Sequence, residues 1–279
     1  GDGNVSIEVS PSRAHDAAGT IAEARRLWKT VGRPNVMIKV PGTVEGATAV
    51  RQLIGDGINV NITLLFAITA HDRVIDAYMA GLEDRVAAGK PIDGITSVAS
   101  FFVSRVDTEV DSQLEALVKS NPGKPAAQLK ALQGKAAVAN AKLAYALFAE
   151  RFKGDHWRAL AAKGGRLQRP LWASTSTKNP AYRDVMYVED LIGPDTVNTM
   201  PPATIEAFRD HGEVRRTVDV DLDRARQELA AVEEAGVSMR QVTDKLLADG
   251  LASFQKSYDS LIAGLARKSQ QLGRSLAAR

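Results

Sequence analysis

Residues 59–64 read Asn-Val-Asn-Ile-Thr-Leu, so polar and apolar side chains alternate along this stretch. A period of two predicts a β-strand with one polar and one apolar face. Residues 6–10, Ser-Ile-Glu-Val-Ser, show the same alternation. Helices can cover the apolar face, while the mouth of a closed barrel can hold the polar face around a ligand. The pattern therefore favours a (β/α)8 barrel over an open doubly wound sheet. In both folds the site lies at the carboxyl ends of the strands.

Short stretches rich in Val and Ile recur along the first 200 residues, and each precedes a longer segment with helical periodicity. This alternation predicts an α/β fold with parallel strands joined by helices. We expect a single domain over residues 1–279, with a helical insertion at 119–165 and C-terminal helices at 213–279 packed on the barrel. The insertion includes one long Ala-rich helix at 126–152. The six expected strands are residues 5–9, 36–40, 58–66, 97–101, 167–174 and 196–200.

Composition narrows the class of protein. The chain has 279 residues, with 36 Lys and Arg against 33 Asp and Glu, so its formal charge of +3 argues against a polyanion-binding tail as its main feature. It has no cysteine, which excludes disulfides, thiolate metal sites and cysteine nucleophiles. Its apolar runs are far shorter than the ~20 residues that cross a bilayer. We expect a soluble, cytoplasmic protein without a membrane partner.

Lys39 is the strongest single indication of chemistry. It ends the apolar run Val-Met-Ile at residues 36–38, just before a Pro-Gly turn at 41–42. A lysine removed from water loses its proton more readily, and the neutral amine can attack a carbonyl to begin a Schiff base. The alternative is a lysine that ends a strand and extends its ammonium group to solvent.

Four further polar residues lie on the polar phase of a strand or near its end: Glu8, Asn61, Thr63 and Ser100. A barrel would bring them together around Lys39, where a carboxylate and a hydroxyl could hold a water for proton transfer. Each also has a structural interpretation. Glu8 could be a surface charge on an edge strand, and Asn61 and Thr63 could satisfy buried backbone groups at a bulge.

Arg105 lies at a strand-to-helix junction, where a guanidinium and helix N–H groups can meet an anion together. The alternative is a surface ion pair with Asp107 or Glu109. After the next strand, residues 174–178 read Ser-Thr-Ser-Thr-Lys and offer hydroxyls and a cation for the second half of a phosphate site. Such a loop can also serve only as a helix cap.

The remaining motifs give only weak indications of function. The four histidines, at positions 15, 71, 156 and 211, have no metal-binding spacing, and no glycine-rich nucleotide loop is present. A basic C-terminal end could bind nucleic acid, but a solvated helical surface explains it better, because no aromatic residues interleave with the charges. This end comprises Arg267, Lys268, Arg274 and Arg279. The apolar residues Phe254, Tyr258, Leu261 and Leu265 recur at helical spacing and are typical of a packing stripe.

Five segments, in this order, resemble transaldolase, in particular the bacterial long-chain group, over nearly the whole chain. They are residues 38–43 (Ile-Lys-Val-Pro-Gly-Thr), 57–66 (Gly-Ile-Asn-Val-Asn-Ile-Thr-Leu-Leu-Phe), 99–105 (Ala-Ser-Phe-Phe-Val-Ser-Arg), 168–176 (Gln-Arg-Pro-Leu-Trp-Ala-Ser-Thr-Ser) and 195–201 (Asp-Thr-Val-Asn-Thr-Met-Pro). The resemblance implies a barrel of the class I aldolase type. It implies transfer of a dihydroxyacetone unit from sedoheptulose 7-phosphate to glyceraldehyde 3-phosphate, in the pentose phosphate pathway, without a metal or organic cofactor.

The resemblance also implies residue roles. Lys39 would form the Schiff base, and Glu8 with Thr63 would hold the catalytic water. Asn61 would hydrogen-bond the bound dihydroxyacetone, with Ser100 beside it. Arg105 and Ser174 match phosphate-binding positions. A second family arginine is replaced here by Ser176, and Lys178 is the candidate to supply its charge.

The strand that carries Glu8 resembles the third strand of the family, so we expect this chain to supply six of eight strands. A missing N-terminal segment of the same protein would be its partner. Two other functions stay open. A Schiff-base aldolase would release the three-carbon unit instead of transferring it, and an incomplete chain could be a catalytically impaired fragment or an assembly partner.

Overall fold

A computed structural model of the chain describes residues 3–120 and 126–277, with side chains to residue 272. The strands are β1 (Val5–Glu8), β2 (Val36–Pro41), β3 (Val60–Leu65), β4 (Ser97–Phe102), β5 (Gln168–Ala173) and β6 (Val197–Asn198). The helices are α1 (Ala17–Val31), α2 (Val44–Asp56), α3 (Ile68–Ala87), α4 (Ser104–Ser120), α5 (Ala126–Lys130), α6 (Ala136–Arg151), α7 (Asp155–Ala161), α8 (Met186–Glu189), α9 (Pro202–His211), α10 (Leu222–Glu234) and α11 (Met239–Ala277).

The six strands form one sheet in the order β1-β2-β3-β4-β5-β6, and every neighbouring pair is parallel. The prediction of an α/β fold with six parallel strands is therefore confirmed. Within the described residues β1 and β6 each pair on one side only, so this sheet is not a closed barrel of eight strands. Val5, on the free edge strand, is 66% exposed.

The core lies between the sheet and the helices that follow its strands. Ile38, Val60, Ile62 and Ala99 point outward from the central strands and are fully buried. Gly57 ends α2 in the left-handed conformation, with φ of +94°, and so allows the chain to turn into β3. The apolar side of the sheet is thus covered by helices, and the polar side chains lie together on its opposite side.

The Ala-rich segment between β4 and β5 differs from the single helix expected at 126–152. It forms α5 and α6, separated by a turn at residues 131–135. Gly134 has a φ of +70°, which a continuous helix does not accommodate, and its N–H donates a 3.0 Å hydrogen bond to Asp111. The tertiary contact with α4 therefore overrides the helix propensity of this segment.

The C-terminal helix α11 lies across the carboxyl ends of the strands at its start and extends into solvent at its end. Leu251 and Phe254 pack against the core, whereas Leu261 is 60% exposed and Leu265 is 56% exposed. The expected packing stripe is therefore only half formed within the described chain. Arg267 and Lys268 of the basic end are exposed. The side chain of Arg274 and the whole of Arg279 lie outside the described residues.

Candidate active site

Glu8, Lys39 and Asn61 occupy one row across three adjacent strands. Glu8 of β1 is the register partner of Lys39 in β2, and Lys39 is the register partner of Asn61 in β3. Register partners in a parallel sheet point to the same face, so the three side chains share the polar face. Thr63 lies two residues after Asn61 and joins that face as the register partner of Pro41.

Lys39 is half-buried at the carboxyl end of β2. Its Nζ lies 5.5 Å from the centroid of the Phe254 ring, which α11 brings over the strand ends. Within the described chain the Nζ has no hydrogen bond or ion pair. The amine is therefore positioned beneath α11 on the polar face, and not on the outer wall in bulk solvent.

The carboxyl group of Glu8 is also half-buried. Burial raises its pKa above the usual 4.5, and the positive charge of Lys39 opposes this rise. Its Oε1 is buried and has no hydrogen-bond partner among the described residues. A carboxyl oxygen in this state can accept a hydrogen bond from a substrate or a water.

Thr63 provides a second such oxygen. Its side chain is fully buried, and Oγ1 has no hydrogen-bond partner in the described part of the chain. The main chain nearby is irregular, because Leu64 has a φ of +59° and the pairing of β3 with β4 shifts between Ile62 and Leu65. The bulge that we considered for this strand therefore exists, but the Thr63 hydroxyl does not satisfy a backbone group there.

Asn61 is held in place from both sides. Its Nδ2 donates a 2.9 Å hydrogen bond to Oγ of Ser6, and its Oδ1 accepts a 2.7 Å hydrogen bond from Oγ of Ser100. Asn61 and Ser100 are buried. The side-chain amide of Asn61 is thus oriented by one hydroxyl from β1 and one from β4.

Arg105 lies in the first turn of α4, directly after β4. Its guanidinium stacks on Phe102 at 5.3 Å, and burial lowers its pKa. The ion pairs considered as its alternative do not form: Asp107 accepts hydrogen bonds from Ala137 N–H and Tyr187, and Glu109 pairs with Lys245. The arginine is therefore available to an anion.

The residues of the 174–178 loop separate into two groups. Ser174 lies beside the start of α4, because its Oγ is 3.0 Å from Oγ of Ser104 and its carbonyl accepts the Ser104 N–H at 3.0 Å. Lys178 is exposed, donates a 2.6 Å hydrogen bond to Ser176, and borders a cavity of about 230 Å³ that Asp107 and Asp111 also line. Ser174 is thus next to Arg105 in the fold, while Lys178 lies towards an acidic cavity.

Three residues to which the sequence pattern assigns no individual role also contribute to this site. Ser6 shares the polar face of β1 with Glu8, as the alternation predicts, but its contact with Asn61 across β2 depends on the curvature of the sheet. Thr175 is buried and donates a 2.8 Å hydrogen bond to Asn198 of β6, which fixes the loop after β5. The helical spacing predicts that Phe254 belongs to a packing stripe, but it does not indicate that the ring approaches Lys39.

The described residues have two further properties, which concern metal binding and membrane insertion. They contain no group of three or more His, Cys, Asp or Glu side chains that could hold a metal ion. In the same residues no helix is long and apolar enough to cross a membrane.

Comparison with known proteins gives one consistent result. The model of the family described as Transaldolase/Fructose-6-phosphate aldolase matches residues 1–265. A transaldolase of Frankia alni is 49% identical over 275 residues, covering 98% of this chain and 71% of the relative. Transaldolase 1 of Streptomyces coelicolor is 50% identical over 98% of this chain and 70% of its own length, and transaldolase 2 of a Nostoc species is 49% identical over 96% and 71%.

Proposed function

Because the chain belongs to the transaldolase/fructose-6-phosphate aldolase family, we propose that it is a transaldolase of the pentose phosphate pathway that acts through a Schiff base on Lys39. The donor is a ketose phosphate such as sedoheptulose 7-phosphate, and the acceptor is an aldose phosphate such as glyceraldehyde 3-phosphate. The observation that supports this most directly is the single row of Glu8, Lys39 and Asn61 across β1, β2 and β3.

The reaction begins when the neutral amine of Lys39 attacks the ketose carbonyl carbon. Loss of water from the carbinolamine gives an iminium. The bond between the α- and β-carbons then breaks as the β-hydroxyl loses its proton and becomes the aldehyde, and the iminium accepts the released electron pair. The aldose product leaves, and a three-carbon enamine stays on Lys39. The enamine then forms a new carbon–carbon bond with the acceptor aldehyde, and water hydrolyses the resulting iminium.

Glu8 and Thr63 hold the water that carries protons in these steps, since each has a buried oxygen without a hydrogen-bond partner in the described chain. Asn61, oriented by Ser6 and Ser100, binds a hydroxyl of the three-carbon unit. Arg105 and Ser174 bind the substrate phosphate. Ser176 and Lys178, on the same loop as Ser174, make a smaller contribution to this site, because Lys178 lies towards the acidic cavity. Arg105 supplies a charge-assisted contact that a neutral residue does not replace.

We also propose that two further strands close the sheet into an eight-stranded barrel. The support is the free edge on both β1 and β6, together with the greater length of the curated relatives. Unpaired edges of this kind favour aggregation. Intact-mass analysis combined with size exclusion tests this proposal: a monodisperse, stably folded species of 29.9 kDa without a companion peptide would contradict it.

The charged sugar phosphates do not cross membranes, so we place the reaction in the cytoplasm.

A product assay separates transfer from the alternatives. The protein is incubated with sedoheptulose 7-phosphate, with and without glyceraldehyde 3-phosphate, and a Lys39→Met variant serves as the control. Transaldolase activity predicts turnover that depends on the acceptor. Release of free dihydroxyacetone without an acceptor would instead indicate a lyase, and trapping of the donor without any turnover would indicate an impaired fragment.

A further inference from the structure

Phe254 lies far along the chain from the strands, yet its ring is next to the reacting amine. The ring centroid is 5.5 Å from Nζ of Lys39. The same ring lies 6.5 Å from that of Phe102, at an interplanar angle of 59°. An ammonium or other cationic nitrogen within about 6 Å of an aromatic face is attracted by the negative charge density of that face.

The approach of α11 to the strand ends explains this contact. Gly250 lies one turn before Phe254, on the same face of the helix. A Cβ at position 250 would be 2.8 Å from Cδ2 of Leu64, closer than side chains tolerate. The glycine therefore lets the helix backbone lie directly on the end of β3, and Phe254 follows over Lys39.

Phe254 lies in the part of α11 that packs against the core. Of the later members of the same helical stripe, Tyr258 is half-buried, whereas Leu261 and Leu265 are 60% and 56% exposed. Phe254 is half-buried between Lys39 and Phe102. The stripe is therefore half-buried from Phe254, beside the amine, to Tyr258, and it is exposed from Leu261 onward.

On the basis of the proposed Schiff-base function, we propose that Phe254 is a further residue of the reaction, whose ring face stabilises positive charge on the Lys39 nitrogen. This nitrogen is neutral in the attacking amine, the carbinolamine and the enamine, and it is positive in the iminium. A ring that faces the nitrogen thus favours the iminium over its neutral neighbours along the reaction. Phe254 neither gains nor loses a bond or proton in any step.

A series of fluorinated phenylalanines at position 254 tests this inference without a change of shape. Each fluorine withdraws charge from the ring face and weakens its attraction for a cation. The readout is the rate at which borohydride traps the protein with saturating sedoheptulose 7-phosphate at fixed pH. We expect the logarithm of this rate to fall steadily with the number of fluorines, by about 10-fold over the series.

The matched control is the same series at Phe208 on α9, whose ring lies against Gly212, where the trapping rate should not change. Phe254→Trp should keep most of the wild-type rate, whereas Phe254→Leu should lose about as much as the fully fluorinated protein. A trapping rate at position 254 that does not respond to fluorination would overturn the role of the ring. If the wild-type protein itself is not trapped on Lys39, the proposed Schiff-base function fails as well, so the two failures are distinguishable.

Discussion

The side chains of Asn61 and Ser6 meet across a strand that lies between them. Nδ2 of Asn61, in β3, donates a 2.9 Å hydrogen bond to Oγ of Ser6, in β1, although β2 separates the two strands in the sheet. In a flat sheet, strands two positions apart are about 9–10 Å distant, since neighbours lie about 4.8 Å apart. The sheet therefore curves towards its polar face, and this curvature concentrates the polar side chains around Lys39.

The hydrogen bond between Asn61 and Ser100 should couple the stability of two strands. Both side chains are buried, so the loss of either partner leaves a polar group unsatisfied. We expect Asn61→Ala and Ser100→Ala each to lower the free energy of unfolding by about 1–3 kcal/mol. The double variant should lose less than the sum, with a coupling of about 1 kcal/mol in urea denaturation. Strictly additive losses would show that the contact contributes nothing.

Glu8→Gln should remove the acid limb of the activity profile. Burial raises the pKa of Glu8 above 4.5, so the wild-type rate should fall as the pH drops through this raised value and the carboxylate is lost. We expect the variant to be about 100-fold slower, with a flat rate in that range. A variant that keeps both the wild-type rate and the acid limb would exclude Glu8 from the proton transfer.

Glu8→Gln should lower the reaction rate but raise the stability of the protein at higher pH. A carboxyl group whose folded pKa is raised favours the folded state at low pH, and this contribution is lost as the pH rises through the folded pKa. Glu8→Gln should therefore become more stable relative to the wild type as the pH increases. Thermal unfolding at several pH values provides the comparison, and it also shows that the slower variant is folded.

Arg105→Met should weaken binding of phosphorylated donors specifically. The guanidinium has no ion-pair partner among the described residues and stacks on Phe102, so it is positioned for a phosphate. We expect KM for sedoheptulose 7-phosphate to rise by about 10- to 100-fold, from the loss of a charged hydrogen bond. KM for unphosphorylated fructose should not change. An equal rise in both KM values would point to a general distortion of the site.

Lys178→Met is the matched comparison for that experiment. Lys178 is exposed and borders the cavity lined by Asp107 and Asp111. We therefore expect a smaller rise in KM for the phosphorylated donor than Arg105→Met produces. An effect as large as that of Arg105→Met would show that Lys178 replaces the missing family arginine in full.

Asp107 should give the protein a pH-dependent stability that is independent of catalysis. Burial raises the pKa of this carboxyl to about 7, despite hydrogen bonds from Ala137 N–H and Tyr187. Since the folded pKa is raised above the ordinary 3.8, its contribution is fully present below that value and is lost as the pH rises towards 7.

Asp107→Asn removes this titration. The stability of the wild type relative to the variant should therefore fall by roughly 2–4 kcal/mol between pH 4 and pH 7. Chemical denaturation at each pH measures the difference. A difference that stays constant over this range would show that the carboxyl does not titrate there.

The alternation of polar and apolar residues was sufficient to predict the sheet and which face of it carries three of the candidate site residues. It placed Glu8, Asn61 and Thr63 on one face, and the parallel register confirms that arrangement. Strand ends were less accurate, since β6 has two residues where five were expected. The length of a strand depends on its hydrogen bonds to neighbouring strands, and a local sequence pattern does not reveal those bonds.

The errors have a common physical origin in contacts between distant segments. The turn at Gly134 interrupts an Ala-rich segment because it packs on α4, and local helix propensity carries no information about that contact. Phe254 reaches Lys39 because Gly250 lets α11 lie on Leu64. The spacing of the apolar stripe indicated a buried helical face, but it could not indicate which side chain the face would cover.

Identification of the lysine that carries the substrate tests the Schiff-base proposal directly. The protein is reduced with borohydride in the presence of sedoheptulose 7-phosphate, digested, and sequenced by mass spectrometry. We predict a reduced three-carbon adduct on Lys39 and on no other lysine, with no adduct in the Lys39→Met variant. An adduct on a different lysine, or full transfer activity in Lys39→Met, would contradict a Schiff base on Lys39.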